Sequence, residues 1–336
     1  MQSTEANRDT ESRGLLSKLP YRQIIRRLAH LLGVLVLVSA ATFLMMELLP
    51  GSVADAFIDE ASSAEDIARI EAELGLDRPL PERFAVWVSN ALQGDLGRSP
   101  ISTEYVADAI LDRLPVSVLL LVYAQILALL IAIPLGVIAG YREGTTLDRG
   151  ISTAAFGILA VPHFVLGLVL ILVFAIWLGW LPATGYIAPG EDLFGHIRSM
   201  ILPSLTLALV EAPVYLRLLR SDMASTLREE YVTVARAKGL SDRFILLRHA
   251  LRPSSFTVIT IMGINIGHLI GGSVILETLF ALPGVGRYLV DAVNQRDFIV
   301  VQGVVLFIAV AFVLVNLVVD LLYTVLDPRL RHDRNN

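Results

Sequence analysis

The sequence predicts an all-α, polytopic membrane protein of six transmembrane helices, with both termini on the cytoplasmic side. Three observations predict it. Of the 336 residues, 55% are hydrophobic and only 18% charged, and mean hydropathy is +0.66; ordinary soluble domains carry about a quarter charged residues. Five stretches without Asp, Glu, Lys or Arg are long enough to cross a bilayer, since about 20 apolar residues span about 30 Å of hydrocarbon. The Lys and Arg residues are also unevenly spread along the chain, as topology requires of a multi-span protein.

The first 27 residues form a polar tail with six Lys and Arg. Leu28–Met46 is the first charge-free run, with the first span drawn over 28–49. It closes on Glu47-Leu-Leu-Pro-Gly51 without a small-x-small cleavage pattern, which predicts a retained helix rather than a removed signal. Residues 50–113 read as an external insertion rich in Asp and Glu. Within it Ser63-Ala-Glu-Asp66 has the form of a capping box, with Ile67, Ile70 and Leu74 on one face and Gly75 as a stop. A second amphipathic helix starts near Pro81 with Phe84, Trp87, Val88 and Ala91 on one face. Two readings stand for this pair: helices lying on the membrane, or a docking platform for an external partner.

The core runs over 114–326. Leu114–Tyr141, Ile151–Leu178, Pro253–Leu276 and Phe298–Val319 are charge-free spans. Ile201–Leu216 is weaker, being short and interrupted by Pro203, Glu211 and Pro213. Charge decides for it. With this span counted, segments 1–27, 142–149, 217–252 and 327–336 face the cytoplasm and hold 19 of the 27 Lys and Arg residues. Without it, the basic 217–252 segment would face outward, against the positive-inside rule.

Residues 217–252 are too regular for a connector. Arg217 to Lys238 reads as mostly helical, Gly239-Leu-Ser-Asp242 as a break, and Ser241 or Asp242 as the cap of a second helix ending near Leu251. Apolar Tyr231, Val232, Val234, Ala235, Ala237 and Leu240 lie among the charges, a mixed surface that suits a protein partner. Gly239 permits a backbone angle other residues avoid. Arg236 and Lys238 can pair with carboxylates, and Ala235 and Ala237 let two surfaces approach.

Here the chain closely resembles the B-type permease subunits of the dipeptide/oligopeptide/nickel branch of ATP-binding-cassette (ABC) importers. The match is carried by Tyr231-Val-Thr-Val-Ala-Arg-Ala-Lys-Gly-Leu-Ser241 and Leu247-Arg-His-Ala-Leu-Arg252. In order along the chain, Leu48-Leu-Pro-Gly51, Gly94-Asp-Leu-Gly97, Pro283-Gly-Val-Gly286, Asp320-Leu-Leu-Tyr323 and Leu326-Asp-Pro-Arg329 agree with it. The wider signature places Glu-Ala-Ala before its glycine; Thr233-Val-Ala235 stand here, so only the third residue fits. The resemblance implies a type I importer fold and a coupling helix, with Tyr231, Ala235, Arg236, Ala237, Lys238 and Gly239 contacting an ATPase subunit. It also implies a second, similar permease, two ATP-binding subunits and an external substrate-binding protein, within the lipid of the cell inner membrane.

The chain supplies no ATP site of its own. A phosphate-binding loop needs Gly-Lys-Ser/Thr, and the two lysines, Lys18 and Lys238, follow Ser17 and Ala237. ATP and Mg are therefore expected on partner subunits, with no cofactor, metal or nucleic acid on this chain. There is no cysteine, and no His-Glu-x-x-His. The histidines at 30, 163, 196, 249, 268 and 332 lack metal-ligand spacing. No internal repeat supports a stand-alone secondary transporter. The cargo reads as di- or oligopeptides, with nickel, glutathione or another small solute as the alternative.

Two further places are candidate sites. Pro283, Gly284 and Gly286 form either a plain external hairpin turn or an external gate, because glycine allows irregular backbone where protein buries it. Glu211, beside Pro213, lies near mid-span, where a carboxylate faces protein or a water-filled path. It either pairs with Arg217 or Arg220, bonds a neighbouring helix as a protonated carboxyl, or lines the translocation pathway.

Overall fold

In the computed structural model, residues 21–48 and 77–326 are described. The polar tail through residue 20, the capping-box helix expected at 63–75 and the tail 327–336 lie outside them. Among the described residues the architecture is all helical, with one isolated bridge between Arg98 and Tyr105. In chain order the helices are α1 (Tyr21–Leu48), α2 (Leu80–Leu92), α3 (Val106–Tyr141), α4 (Thr146–Leu159) and α5 (His163–Leu170). A π-helical turn, Ile171–Trp177, extends α5. Then follow α6 (Leu193–Thr226), α7 (Glu230–Ala237) and the one-turn α8 (Asp242–Phe244). A second π-helical turn, Ile245–Ala250, leads into α9 (Leu251–Leu279), α10 (Val285–Gln295) and α11 (Phe298–Leu326).

The axis of the molecule is the pair α3 and α6. On α3, Ala124, Ala128, Ala132, Gly136 and Gly140 repeat every fourth residue and are all buried. That spacing puts them on one face of the helix. A side chain at Gly140 would lie 2.7 Å from Met223 Cβ and 2.9 Å from the Arg220 carbonyl oxygen; one at Gly136 would lie 3.1 Å from Leu219 Cβ. Small residues at such positions let two backbones close on each other, the usual way helices associate in lipid. The core continues above and below this seam. Val116, Leu120, Met200, Leu202, Leu276 and Phe280 fill one part. Tyr215, Leu216, Leu219, Met223 and Ala250 fill another. Val106, Ile110, Val285, Ala292, Val300 and Val304 close one end.

The weakest span in the sequence proves to be the most enclosed. Of the 18-residue apolar window in α6, 72% is buried inside the protein, against 22% for the window in α11. Protein rather than lipid surrounds α6, so Ser199, Ser204, Thr206 and Glu211 are admitted there and its hydropathy is low. Asp192 starts it, accepting the Phe194 amide at 3.0 Å, and the chain stays helical through both prolines.

One reading from the sequence is corrected. Ile151–Leu178 is not one straight span: α4 and the helix from His163 to Trp177 meet at 104°. Pro162 causes the break. It disfavours helical geometry at Val161, and its own ψ of 138° starts α5 afresh. Arg217 to Lys238 is mostly helical, as read from the sequence, with a turn at 227–229 between the end of α6 at Thr226 and the start of α7 at Glu230. A further 60° bend separates Asp242–Gly267 from Leu269–Leu279. Among the described residues, three helices are long and apolar enough to cross a membrane singly, and up to five spans result if each bent pair is one. In α1, Leu31–Met45 is a shorter apolar stretch. The amphipathic helix expected near Pro81 is α2; its Phe84 and Trp87 pack on Phe43 of α1, with ring centroids 5.4 and 6.1 Å apart.

Candidate coupling hairpin, mid-span cluster and α10 turn

The hairpin from α7 to the start of α9 is a folded projection with its own small core. Val232 and Ala235 of α7 are buried against Ile245, with Leu227 packed beside them. Ala235 therefore faces inward: its small side chain lets α7 sit on the π-helical turn rather than meeting an outside surface. Tyr231, Val234, Leu240, Phe244 and Leu247 are exposed, as are Arg236, Ala237, Lys238 and Gly239. Tyr231 also donates its hydroxyl to the His249 carbonyl at 3.2 Å. Gly239 has φ +78° and open space around its Cα hydrogens. It is needed for its backbone angle, not for room. Its N–H reaches the Arg236 carbonyl at 2.9 Å and that of Leu240 reaches Ala235 at 3.3 Å, the paired bonds that close a helix on a left-handed residue. Ser241 opens α8 without a side-chain cap.

At mid-span, Glu211 is 7% exposed. Asn265 of α9 donates to its Oε2 at 2.7 Å. One turn along α6, the fully buried Tyr215 donates to Gln125 Oε1 of α3 at 3.1 Å. Polar side chains from α3, α6 and α9 are thus brought together inside the bundle. Arg220, one of the two arginines weighed as a partner for Glu211, is instead bonded to Asp148 at 2.5 and 2.7 Å. Pro213, buried two residues beyond Glu211, cannot donate to the Leu209 carbonyl, so the helical ladder is interrupted beside the carboxylate.

At the far end of α3, the turn at 283–286 is held from beneath by a residue that no motif marks. Glu277 has no exposed surface. Its Oε2 accepts the amides of Gly286 at 2.7 Å and Arg287 at 3.1 Å, while Ser117 Oγ of α3 accepts the Val285 amide at 2.9 Å. Three amides of the first turn of α10, which have no partner within the helix, are thereby satisfied by α9 and α3. Pro283 is exposed, whereas Gly284 and Gly286 are buried. Gly284 is extended, with φ −98° and ψ 178°. Both glycines serve close approach rather than unusual backbone: a side chain at Gly284 would overlap the Glu277 carboxylate, and one at Gly286 would lie 2.6 Å from Val274 Cα.

Beside this turn, Gly94-Asp-Leu-Gly97 folds on itself, Asp95 accepting the Gly97 amide at 2.9 Å. Gly97 has φ +87°, and a side chain there would strike Ile299. Ser99 donates to Asp297 at 2.5 Å, and Asp297 accepts the Val300 amide at the start of α11 at 3.2 Å. The Arg113 guanidinium lies 4.3 Å over the Tyr288 ring. Sequence reading passed over Glu277, Ser117, Asp297 and Asn265. The signal for Glu277 was slight: an acidic residue directly after a span, shortly before a glycine-rich turn.

Comparison with known proteins identifies the family. Residues 132–332 match the family described as binding-protein-dependent transport system inner membrane component, and residues 20–121 match its N-terminal companion. A protein of Brucella abortus (strain 2308) named for a peptide transport system permease is 40% identical over 310 residues, covering 92% of this chain and 99% of that protein. The glutathione transport system permease protein of Escherichia coli (strain K12) is 39% identical over 309 residues, covering 92% and 98%. The chain belongs to the binding-protein-dependent transport system inner membrane component family, the membrane permeases of ABC importers.

Proposed function

We propose that the chain is one of two permease halves of an ATP-driven importer whose cargo is di- and oligopeptides. The exposed α7–Gly239 hairpin carries the reading: a compact projection that shows apolar and basic side chains away from the bundle suits seating on another protein. In this proposal Tyr231, Arg236, Ala237, Lys238 and Gly239 contact an ATPase subunit, and Ala235 supports that face from within. ATP and Mg reside on two such subunits and none on this chain. ATP binding would shift the population between two states of the pathway. The second half is a homologous permease, and a substrate-binding protein docks on the segment 50–113, of which residues 77–113, including α2, are described.

The proposed topology has six spans with both termini cytoplasmic. The three unbroken long helices, the two bent pairs and α1 support that count. The tails are then 1–27 and 327–336, the first span 28–49, the core 114–326 and the coupling segment 217–252. Pro283, Gly284 and Gly286 would act as the external gate turn, and Glu211 with Pro213 would lie on the pathway. The peptide relative supports a peptide cargo. A second reading, glutathione, is supported by the Escherichia coli relative.

The test is purification followed by reconstitution with the binding protein. ATPase subunits should co-purify, and ATP hydrolysis should rise with peptide-loaded binding protein more than with glutathione or nickel. A preparation without ATPase subunits would defeat the importer reading. Greater stimulation by glutathione would replace the cargo. For Glu211, the Glu211→Gln variant should lose transport of cationic peptides more than of neutral ones; equal loss removes it from the pathway. A cysteine replacing Ser241 should resist impermeant reagents added outside, and labelling there would overturn the topology.

A further inference from the structure

No motif marks the loop joining α3 to α4, and it is only four residues long, 142–145. The residues in and around it nevertheless reach three separate points of the hairpin that carries α7. The Asp148 side chain, 3% exposed, receives Nε and Nη2 of Arg220 at 2.5 and 2.7 Å. A two-pronged guanidinium–carboxylate pair fixes orientation as well as distance. The same carboxylate accepts the Gly144 amide at 2.9 Å, closing the loop on itself. Arg228 donates to Glu143, and Tyr141 donates to Asp242 at 3.0 Å.

These three points bracket α7. Arg228 lies two residues before its first residue, Glu230, and Asp242 lies five after its last, Ala237. Arg220 sits on α6 at the root of the hairpin, where Gly140 of α3 meets the Arg220 carbonyl. Chain connectivity alone would pass a displacement of α7 to α6 and α9. The side-chain links extend it to α3 and α4, which lie some 70 to 100 residues earlier in the sequence.

We propose that residues 141–148 form a strap that makes α7 move as one unit with the ends of α3, α4 and α6, and that Asp148 and Arg220 are its positioning residues. The proposal rests on the reading of α7 as the helix that docks on the ATPase subunit. It links α4, the first arm of the bent span, to the root of that helix through Arg220 of α6, so the 104° break at Pro162 lies between the strapped segment and the rest of the span.

The test uses the full complex in vesicles and the absence of native cysteine. Cysteines replacing Glu143 and Arg228 are joined by a short bifunctional thiol reagent. If the strap and hairpin travel together, joining them leaves transport within about twofold of the unjoined double variant. Loss of transport on joining, with ATP hydrolysis continuing, means that the hairpin slides over the loop, and overturns the proposal. In parallel, Asp148→Asn should lower substrate moved per ATP by about tenfold, the upper range for a coupling residue, while ATPase subunits co-purify in unchanged amount. A ratio within about twofold of wild type counts against the strap. Should Asp148→Asn fail to accumulate, Tyr141→Phe removes only one hydroxyl bond and should lower the ratio about twofold; an unchanged ratio again counts against it. Failure of docking itself looks different: a cysteine at Val234 then forms no cross-link to an ATPase subunit, whatever the strap variants do.

Discussion

At the α10 end of the bundle, the two buried carboxylates terminate on backbone amides and a hydroxyl: Glu277 on Gly286 and Arg287, Asp297 on Val300 and Ser99. At the α7 end, arginine side chains are the main partners: Asp148 binds Arg220, with the Gly144 amide beside it, and Glu143 binds Arg228. The difference is mechanical as well as chemical. A backbone amide is fixed by its helix, so a buried carboxylate that holds two of them accepts one geometry and penalises all others. An arginine–carboxylate pair instead ties one side chain to another across separate helices, so the segments it joins can travel together as a unit. The α10 end is built to hold one arrangement, and under the strap proposal the α7 end stays connected while it moves as a unit.

The largest effect that would sharpen this contrast is expected at Glu277. Replacing it with alanine strands one buried and one partly buried amide at the start of α10, and hydrogen bonds to charged groups are the costly ones to lose. Glu277→Ala should destabilise the purified protein by about 3 kcal/mol. Thermal unfolding in detergent would measure it. A midpoint equal to wild type would mean that the α10 end is held by apolar packing around Val285 and Ala292 instead.

Asp148 comes next. Its carboxyl is held down to about 2, first by the bonded Arg220 guanidinium and then by the Gly144 amide, with burial opposing. The folded value lies below the ordinary one near 3.8, so the pair stabilises the fold above that value and the contribution is lost as pH falls toward 2. Between pH 5 and 8 the contribution should be constant. Asp148→Asn should cost about 2 kcal/mol at pH 7, taking 1.36 kcal/mol per unit and discounting for screening. The difference between wild type and variant should shrink only below about pH 4. A difference that varies across neutral pH would assign the titration to another group.

A third comparison sets one glycine from each end against the other. Gly286 is required for space and Gly239 for its φ of +78°. Gly286→Asn should therefore destabilise by overpacking, by about 2 kcal/mol, whereas Gly239→Asn should cost under about 1 kcal/mol, since asparagine tolerates the left-handed region. Unfolding midpoints of the two variants separate the causes. Equal losses would show that one of the two assignments is wrong.

How much of this was legible in the sequence depends on the range of the physics involved. Charge-free runs are local, and each corresponds to helix. The Gly239 break is local too, and the turn that follows α7 is where the pattern put it. Pro162 was also visible, but hydropathy averages over a window and carries no signal for a bend, so Ile151–Leu178 read as one span. The low hydropathy of α6 argued against a span for the same reason in reverse: the scale assumes lipid around the helix, and α6 is surrounded by α3, α9 and α5. Glu211 was marked by its type, yet its bond to Asn265 crosses 54 residues, and the Ser117 bond to Val285 crosses 168. Side-chain pairs at that separation leave no periodicity to read.

The smallest effect tests the α7 end most directly. The Arg228 side chain is 72% exposed and that of Glu143 37%. Exposed ion pairs contribute little to stability, because solvent screens the attraction and two long side chains lose rotamer freedom. Glu143→Gln should therefore change unfolding by less than about 1 kcal/mol, and the difference should vanish in high salt, where the screening length falls to about 3 Å. Asp148→Asn should keep its cost in the same salt, since its carboxylate is shielded by the protein. If the Glu143 pair proved as salt-resistant as the Asp148 pair, the loop would be clamped as rigidly as α10 is by Glu277. The α7 end would then have no more freedom to shift than the α10 end, and the mechanical contrast between them would fail even with every bond as described.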